Sequence, residues 1–581
     1  MNDERFAVGI DLGTSTSEIC VFRDGQPVPI VDPSSPAKSA IVPSLVAVTP
    51  RGELVVGEAA RNIVDAPGRG AREFKRIMGD GGRVILAGVE HRPEEIAALL
   101  LRQLKDNAEV ALGRTVREVV LSVPANFPDS ARQATLDAGK LAGLEILRLI
   151  NEPTAAALAF GVRHLEAEET LAVFDFGGGT LDVTVLEMME GVMDARCSQG
   201  DSKLGGADFD AALVELILAK FRAERPGVAP GDQVRRRLKN DAERAKIALS
   251  CSASHVVSIP NFASSDGELI DLEVEVTRAE FERAVAPLVA RARAALDATL
   301  KTKAIAPESV SRVLLVGGTT YIPCVRTMVA EFFGREPRTD VSPDLAVGMG
   351  ASISAAIATG LLADEKALIL TDVSPFGLGV PVLQRVGGQP MLVYDELIAP
   401  NQTIPYSVQR EYSLISEDQE AVEISLFQDP TGRAQLPEQA IFTGIAGEIT
   451  DIPPAIVGGP HELRLDFSYD ANGIVNLTAT IPATRQQVAV QYKSSPARMG
   501  ESELAQAKRQ VDELWKKSPK AKEHASVIAK AERMLPGLAP QPRAELTTLL
   551  LRLKGALAEQ DVEAIDDASS ALVDKLFSLD N

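Results

Sequence analysis

The chain has 581 residues, 45% of them hydrophobic and 24% charged, enough for several domains with sizeable cores. Its 60 basic and 81 acidic side chains leave a formal charge of −21, which repels nucleic acid and anionic membrane surfaces at long range. Four cysteines (Cys20, Cys197, Cys251, Cys324) and five histidines are dispersed, without the spacing of a disulfide framework or a metal centre.

Residues 1–5 run straight into an apolar strand without the core of a signal peptide, so the expected location is cytoplasmic. That strand, at 6–10, is followed by Asp11-Leu12-Gly13-Thr14-Ser15-Thr16-Ser17 and an alternating strand at 18–22. Next come a strand at 118–123, a helix at 130–142, a strand at 146–150 and a helix at 154–160. The opening pattern then returns. A strand at 171–174 leads into Asp175-Phe176-Gly177-Gly178-Gly179-Thr180-Leu181-Asp182, and a strand covers 182–187. One such turn is an ordinary hairpin. Two of them, in an alternating α/β pattern that lasts to about residue 366, point to a duplicated domain gripping one phosphorylated ligand from both sides.

Gly-rich turns let backbone N–H groups approach phosphate oxygens, and an Asp at a strand end can hold Mg2+ through its waters. Asp11 and Asp175 are so placed, and no P-loop sequence occurs. A charged amphipathic helix at 234–249 leads to Ser250, with Glu243, Lys246 and Ser250 on one face. A strand at 313–316 ends in a third turn, Gly317-Gly318-Thr319-Thr320. The small-residue stretch 347–363 is expected to be a packed internal helix, since its glycines and length suit a bilayer poorly.

The pattern changes after residue 366. A short apolar run, Leu368-Ile369-Leu370, precedes Pro- and Gly-punctuated alternating segments at 421–427, 462–467, 474–481 and 487–492, with a hairpin signal at Asp470-Ala471-Asn472-Gly473. These read as an antiparallel β domain. From residue 500 the strand pattern gives way to helices. One at 501–517 puts Leu504, Val511, Leu514 and Trp515 on one face, and two or three more follow, broken near Pro519 and between Pro536 and Pro542.

Asp11 to Ser17, Val123-Pro124-Ala125, Arg132 to Thr135, Asn151-Glu152-Pro153-Thr154, Asp175 to Asp182, Gly205-Gly206-Ala207-Asp208 and Val316-Gly317-Gly318 resemble, in order, the DnaK-type chaperones of the heat shock protein 70 family. The resemblance runs to about residue 495. Ile369-Leu370-Thr371-Asp372, Phe467 to Asp470 and the compact tail are most similar to the shortened HscC-type bacterial members. It implies a multidomain chain: an actin-like α/β ATPase domain at 1–366, with two lobes and a ribonuclease-H-like duplication, and an interdomain linker at 367–373. An antiparallel β-sandwich that binds substrate at 374–495 and a shortened helical lid at 500–581 would follow. The implied function is an ATP-dependent chaperone that captures and releases extended apolar peptides.

The resemblance also implies residue roles. Asp11, Gly13, Thr14, Ser15, Gly177, Gly178, Gly179 and Thr180 match nucleotide-binding positions, with Thr14, Thr180 and glycines 177 to 179 as phosphate contacts. Asp11, Asp175 and Asp182 match residues that order Mg2+, mostly through water, with K+ as a further cofactor. Lys75 matches the lysine that steers the γ-phosphate and Glu152 the acid that helps position the attacking water; with Asp175 and Thr180 they form the expected catalytic set. Glu243, Lys246, Ser250, Gly317, Gly318, Thr319, Tyr321 and Asp344 fall on the adenosine side. Without the resemblance, Lys75 reads as a surface lysine and Glu152 as a helix-start carboxylate.

Val380, Leu383, Tyr412, Ile415, Val422, Ile424 and Ile474 match the peptide pocket, although their alternation equally suits sandwich core. Pro124, Arg132, Arg148, Leu368, Ile369, Leu370 and Asp372 match coupling positions. Four departures stand out: Tyr321 replaces an Arg, Thr16 an Asn and Asn126 an aromatic residue, and the segment from Lys75 to Pro93 is short. The tail, too, is short for a complete lid. The implied partners are unfolded or extended polypeptides, a J-domain co-chaperone and a nucleotide exchange factor, with no nucleic acid and no membrane. Two other readings compete. One is a non-catalytic ATP-binding exchange factor or adaptor, against which Lys75, Glu152 and the aspartates argue. The other is an actin-like-fold small-molecule kinase, in which the linker, β domain and tail have no place.

Overall fold

The computed structural model describes residues 5–580 except 34, 36, 163, 165–167, 190, 229, 231, 266–267, 339–340, 363–368, 457, 493–498, 519–520 and 560–561. Leu368 therefore lies outside the described residues.

Two six-stranded sheets repeat one motif. In the first, Ala7–Asp11 pairs antiparallel with Thr16–Arg23 and parallel with Glu118–Val123. In the second, Glu169–Phe176 pairs antiparallel with Leu181–Met189 and parallel with Arg312–Val316. Each sheet builds its own lobe, with a core of its own. Between the sheets lie the helices Glu152–Gly161 and Ala346–Ala358, buried along nearly their whole length in a third core. Their small residues allow this: a methyl on Gly350 would strike the backbone of Ala155. The internal helix expected at 347–363 ends earlier, because Thr359 is followed by Gly360 in the left-handed region (φ 66°), which stops the helical turn.

Ile369–Val373 is a strand. It pairs parallel with Val192–Asp201 and extends the second lobe's sheet, with Thr403–Ile404 added outside it. Beyond it, eight antiparallel strands fold over one core that takes Leu378, Val380 and Leu426 from one half and Leu465, Phe467 and Leu477 from the other.

The tail helix Glu501–Trp515 lies against Pro93–Leu112 and Asp129–Leu141 of the first lobe. Ala507, Val511 and Leu514 join that lobe's core, and Leu504 and Trp515 pack on it. Arg92 pairs with Glu503 at 3.1 Å, Arg102 pairs with Asp512, and Leu54 N–H donates to Lys517 O at 2.9 Å. Three further helices, Ala521–Met534, Pro540–Glu559 and Val562–Asp580, share a separate core around Leu546, Leu553 and Leu572. Among the described residues no helix is long and apolar enough to cross a membrane.

Candidate active site in the cleft between the lobes

The two Gly-rich turns meet face to face. A side chain on Gly178 would strike the Ser15 hydroxyl, and one on Gly179 would strike Thr14. Glycine is required there by contact across the cleft, not by turn conformation, since neither has a positive φ. The first turn is braced by Ser44, whose hydroxyl donates to Gly13 O at 2.8 Å. The second is closed by Gly177 N–H on Thr180 O at 3.0 Å.

Between the turns is an open cleft. Of the residues expected there, Asp11, Gly13, Thr14, Ser15, Lys75, Glu152, Asp175, Gly177, Gly178, Thr180, Gly317, Gly318 and Asp344 line it. Gly179 and Asp182 do not line it. Nor do four adenosine-side residues: Glu243 faces Arg72 (3.4 Å), Lys246 pairs with Asp210 (2.9 Å), Ser250 donates to Lys246 O (3.0 Å) and Thr319 donates to Gly177 O (2.8 Å). Tyr321 is half exposed, its hydroxyl on Asp344 at 3.0 Å.

Lys75 Nζ donates to Glu152 Oε1 at 2.5 Å, and both side chains are buried. Around them sit three more carboxylates. Asp11 accepts from the Ser122 hydroxyl at 2.5 Å; Asp182 accepts from both the backbone and side-chain amide of Asn126, at 3.1 and 2.6 Å. One oxygen each of Asp175 and Asp182 has no partner. Burial, reinforced for Asp175 by Glu152, Asp182 and Asp11, pushes Asp175 well above the usual carboxylate range. Burial likewise raises Glu152 to about 7 and Asp182 to about 6, against the opposing pull of Lys75 on Glu152 and of Asn126 on Asp182.

Unpaired carboxylate oxygens with raised proton affinity suit a divalent cation. Among the described residues no group of three or more His, Cys, Asp or Glu is arranged to ligate a metal directly.

Ser122, Pro343 and Val347 were not found as site residues by sequence reasoning; Thr16 and Asn126 drew notice only as departures. Ser122 and Asn126 flank the Val123-Pro124-Ala125 signal, which is the one clue the sequence held.

The coupling candidates gather at the domain border. Arg132 bonds Ala125 O (3.0 Å), Asn151 Oδ1 (2.7 Å) and, across the border, Asn472 O (3.3 Å). Asn472 Oδ1 accepts from Leu149 N–H at 3.0 Å, and Asp129 accepts from Val475 N–H at 2.9 Å. Asp372 accepts from the Thr154 hydroxyl (3.1 Å), Leu370 packs on the crossing-helix core, and Ile369 is exposed. Pro124 is buried, whereas Arg148 is half-buried with its Nε unpaired. Asn401, not foreseen, accepts from Ser198 N–H at 2.7 Å.

The expected peptide residues are divided. Val380 and Ile424 are sandwich core, with Val422 and Tyr412 packed on it, and the Tyr412 hydroxyl bonds Asp395 at 2.5 Å. Leu383 (44%) and Ile415 (69%) are exposed. Ile474 is half-buried beside the turn that meets Arg132.

A duplicated two-lobed nucleotide fold joined through a strand to an antiparallel β domain defines a nucleotide-driven, peptide-binding protein. The family model described as Hsp70 protein matches residues 7–84 and 82–578, nearly the whole chain, and the chain belongs to the Hsp70 family. It is an ATP-dependent chaperone that binds peptides and an ATPase, with unfolded proteins as its clients.

Proposed function

We propose that ATP is hydrolysed between the two Gly-rich turns and that the strand Ile369–Val373 transmits the change to the β domain. The observation that carries this is the addition of that strand to the sheet whose turn forms one wall of the cleft. In this reading ATP draws the Lys75 ammonium from Glu152 onto the γ-phosphate. Glu152, freed and with its proton affinity raised by burial, then orients the attacking water. Thr14, Ser15, Thr180 and the backbone amides of the turns hold the phosphates. Asp11, Asp175 and Asp182 hold hydrated Mg2+, which when bound neutralises phosphate charge; K+ belongs to the same proposal.

The unit borders at 366, 373, 495 and 500, the HscC-type subgroup, a J-domain co-chaperone and an exchange factor are further parts of this reading. Ile369 to Asp372, Phe467 to Asp470 and the compact tail support the subgroup. Leu383, Ile415 and Tyr412 are the peptide contacts best supported, because they leave the core at least in part.

Single-turnover hydrolysis is expected to fall at least tenfold in Lys75→Ala with ATP still bound. Steady-state turnover should rise with a J-domain protein and with an extended apolar peptide; no response to either sinks the coupled cycle.

A further inference from the structure

Lys75 sits in a single 3-10 turn, Phe74–Ile77, whose Phe74 is buried in the first lobe's core. The residue before the turn, Glu73, has φ 54° and ψ 19°, a left-handed conformation that side-chain-bearing residues seldom adopt. Its side chain is paired to the other lobe. Lys239 Nζ donates to Glu73 at 2.5 Å. On either side, Arg72 donates to Asn240 at 2.7 Å and reaches Glu243 at 3.4 Å, and Arg76 lies 3.2 Å from Asp208.

Lys239, Asn240 and Glu243 lie on the helix Asp232–Cys251, which anchors in the second lobe's core through Leu238, Ala242 and Ala245. Asp208 opens the helix Gly206–Glu224 of that lobe. The turn bearing Lys75 is thus stapled to the opposite lobe at both ends. Burial alone would raise the Glu73 carboxyl, yet Lys239, Arg72 and Arg76 together lower it, so the site favours the charged, paired form.

We propose that these pairs are a clamp that makes the position of Lys75 conditional on lobe closure. With the helix Asp232–Cys251 closed over the cleft, Glu73 is held left-handed and its turn presents Lys75 to Glu152. When the lobes part, the pairs break, Glu73 relaxes to an ordinary conformation and Lys75 is withdrawn. The same helix carries Lys246 and Ser250, so a bound nucleotide that draws it inward also aligns the lysine. Arg72 and Glu73 are positioning residues here, acting through Lys75, and the inference rests on the role proposed for that lysine.

The test uses the full chain, a fluorescent adenine nucleotide for release, and single-turnover ATP hydrolysis. Glu73→Ala and Lys239→Ala should each release nucleotide about fivefold faster, and the double variant well short of the two effects combined, since the contact that they share is lost in all three. Additive effects, or release unchanged in both single variants, would overturn the clamp. Glu73→Gly loses the pair but tolerates the left-handed backbone. It should release as fast as Glu73→Ala while hydrolysing at least threefold faster than it; equal hydrolysis in the two overturns the link to Lys75. Lys75→Ala is the separate control. Undiminished hydrolysis there refutes the role of Lys75, whereas the release rates of the Glu73 and Lys239 variants judge the clamp independently.

Discussion

Glu94, 3% exposed at the start of helix Pro93–Leu112, leaves one carboxylate oxygen without a partner. Burial raises it to about 7, with its own backbone amide and Arg92 opposing. A carboxyl that binds its proton more tightly when folded favours the folded state at low pH, and that advantage is lost as pH rises from about 4.5 to about 7. Glu94→Gln is therefore expected to flatten the fall of the thermal midpoint between pH 5 and 8 and to raise it at pH 8. An unchanged slope would show that the group is solvated. At the cleft, Gly178→Ala forces a methyl into Ser15, so the turns must separate. ATP affinity should drop at least tenfold by calorimetry, with the fold retained.

Among elements, the tail helix Glu501–Trp515 was legible as amphipathic, but its partner was not. Its apolar face completes the first lobe's core, and Arg102 sits 6.0 Å from the centroid of the Trp515 ring. Trp515 is the only tryptophan in the chain, so its emission reports this docking directly. Val511→Asp buries an unpaired charge, at a cost of several kcal/mol. It should red-shift Trp515 emission and speed proteolysis at Lys516 and Lys517. If emission stays as in the wild type, the helix does not depend on this face.

At the scale of the whole molecule, the added strand Ile369–Val373 and the contacts at Arg132, Asp372 and Asn401 tie the β domain to the nucleotide lobes. A two-state coupling requires that ligands favouring separate domains weaken these bonds. ADP with an extended apolar peptide should therefore red-shift Trp515 and expose the strand Ile369–Val373 to protease, and ATP should reverse both. Asp372→Ala loses the Thr154 bond and should slow ATP-triggered peptide release several-fold. Release at the wild-type rate would remove Asp372 from the coupling path.

The sequence by itself determined the duplicated turns and the division into α/β, β and helical parts, whereas Lys75 and Glu152 stood out only through the family resemblance. Those features are local: a turn's glycines, a strand's alternation and a helix's apolar face are written in neighbouring residues. Tertiary structure decided what depends on approach between distant segments. Asn126 reaches Asp182, Ser122 reaches Asp11, and Lys239 reaches Glu73 from the other lobe. The peptide residues show the same limit, since alternation marks Val380 and Leu383 alike as apolar and only packing separates core from surface. A pattern along one strand records which faces are apolar, but which partner covers them is set by contacts between segments far apart in the chain.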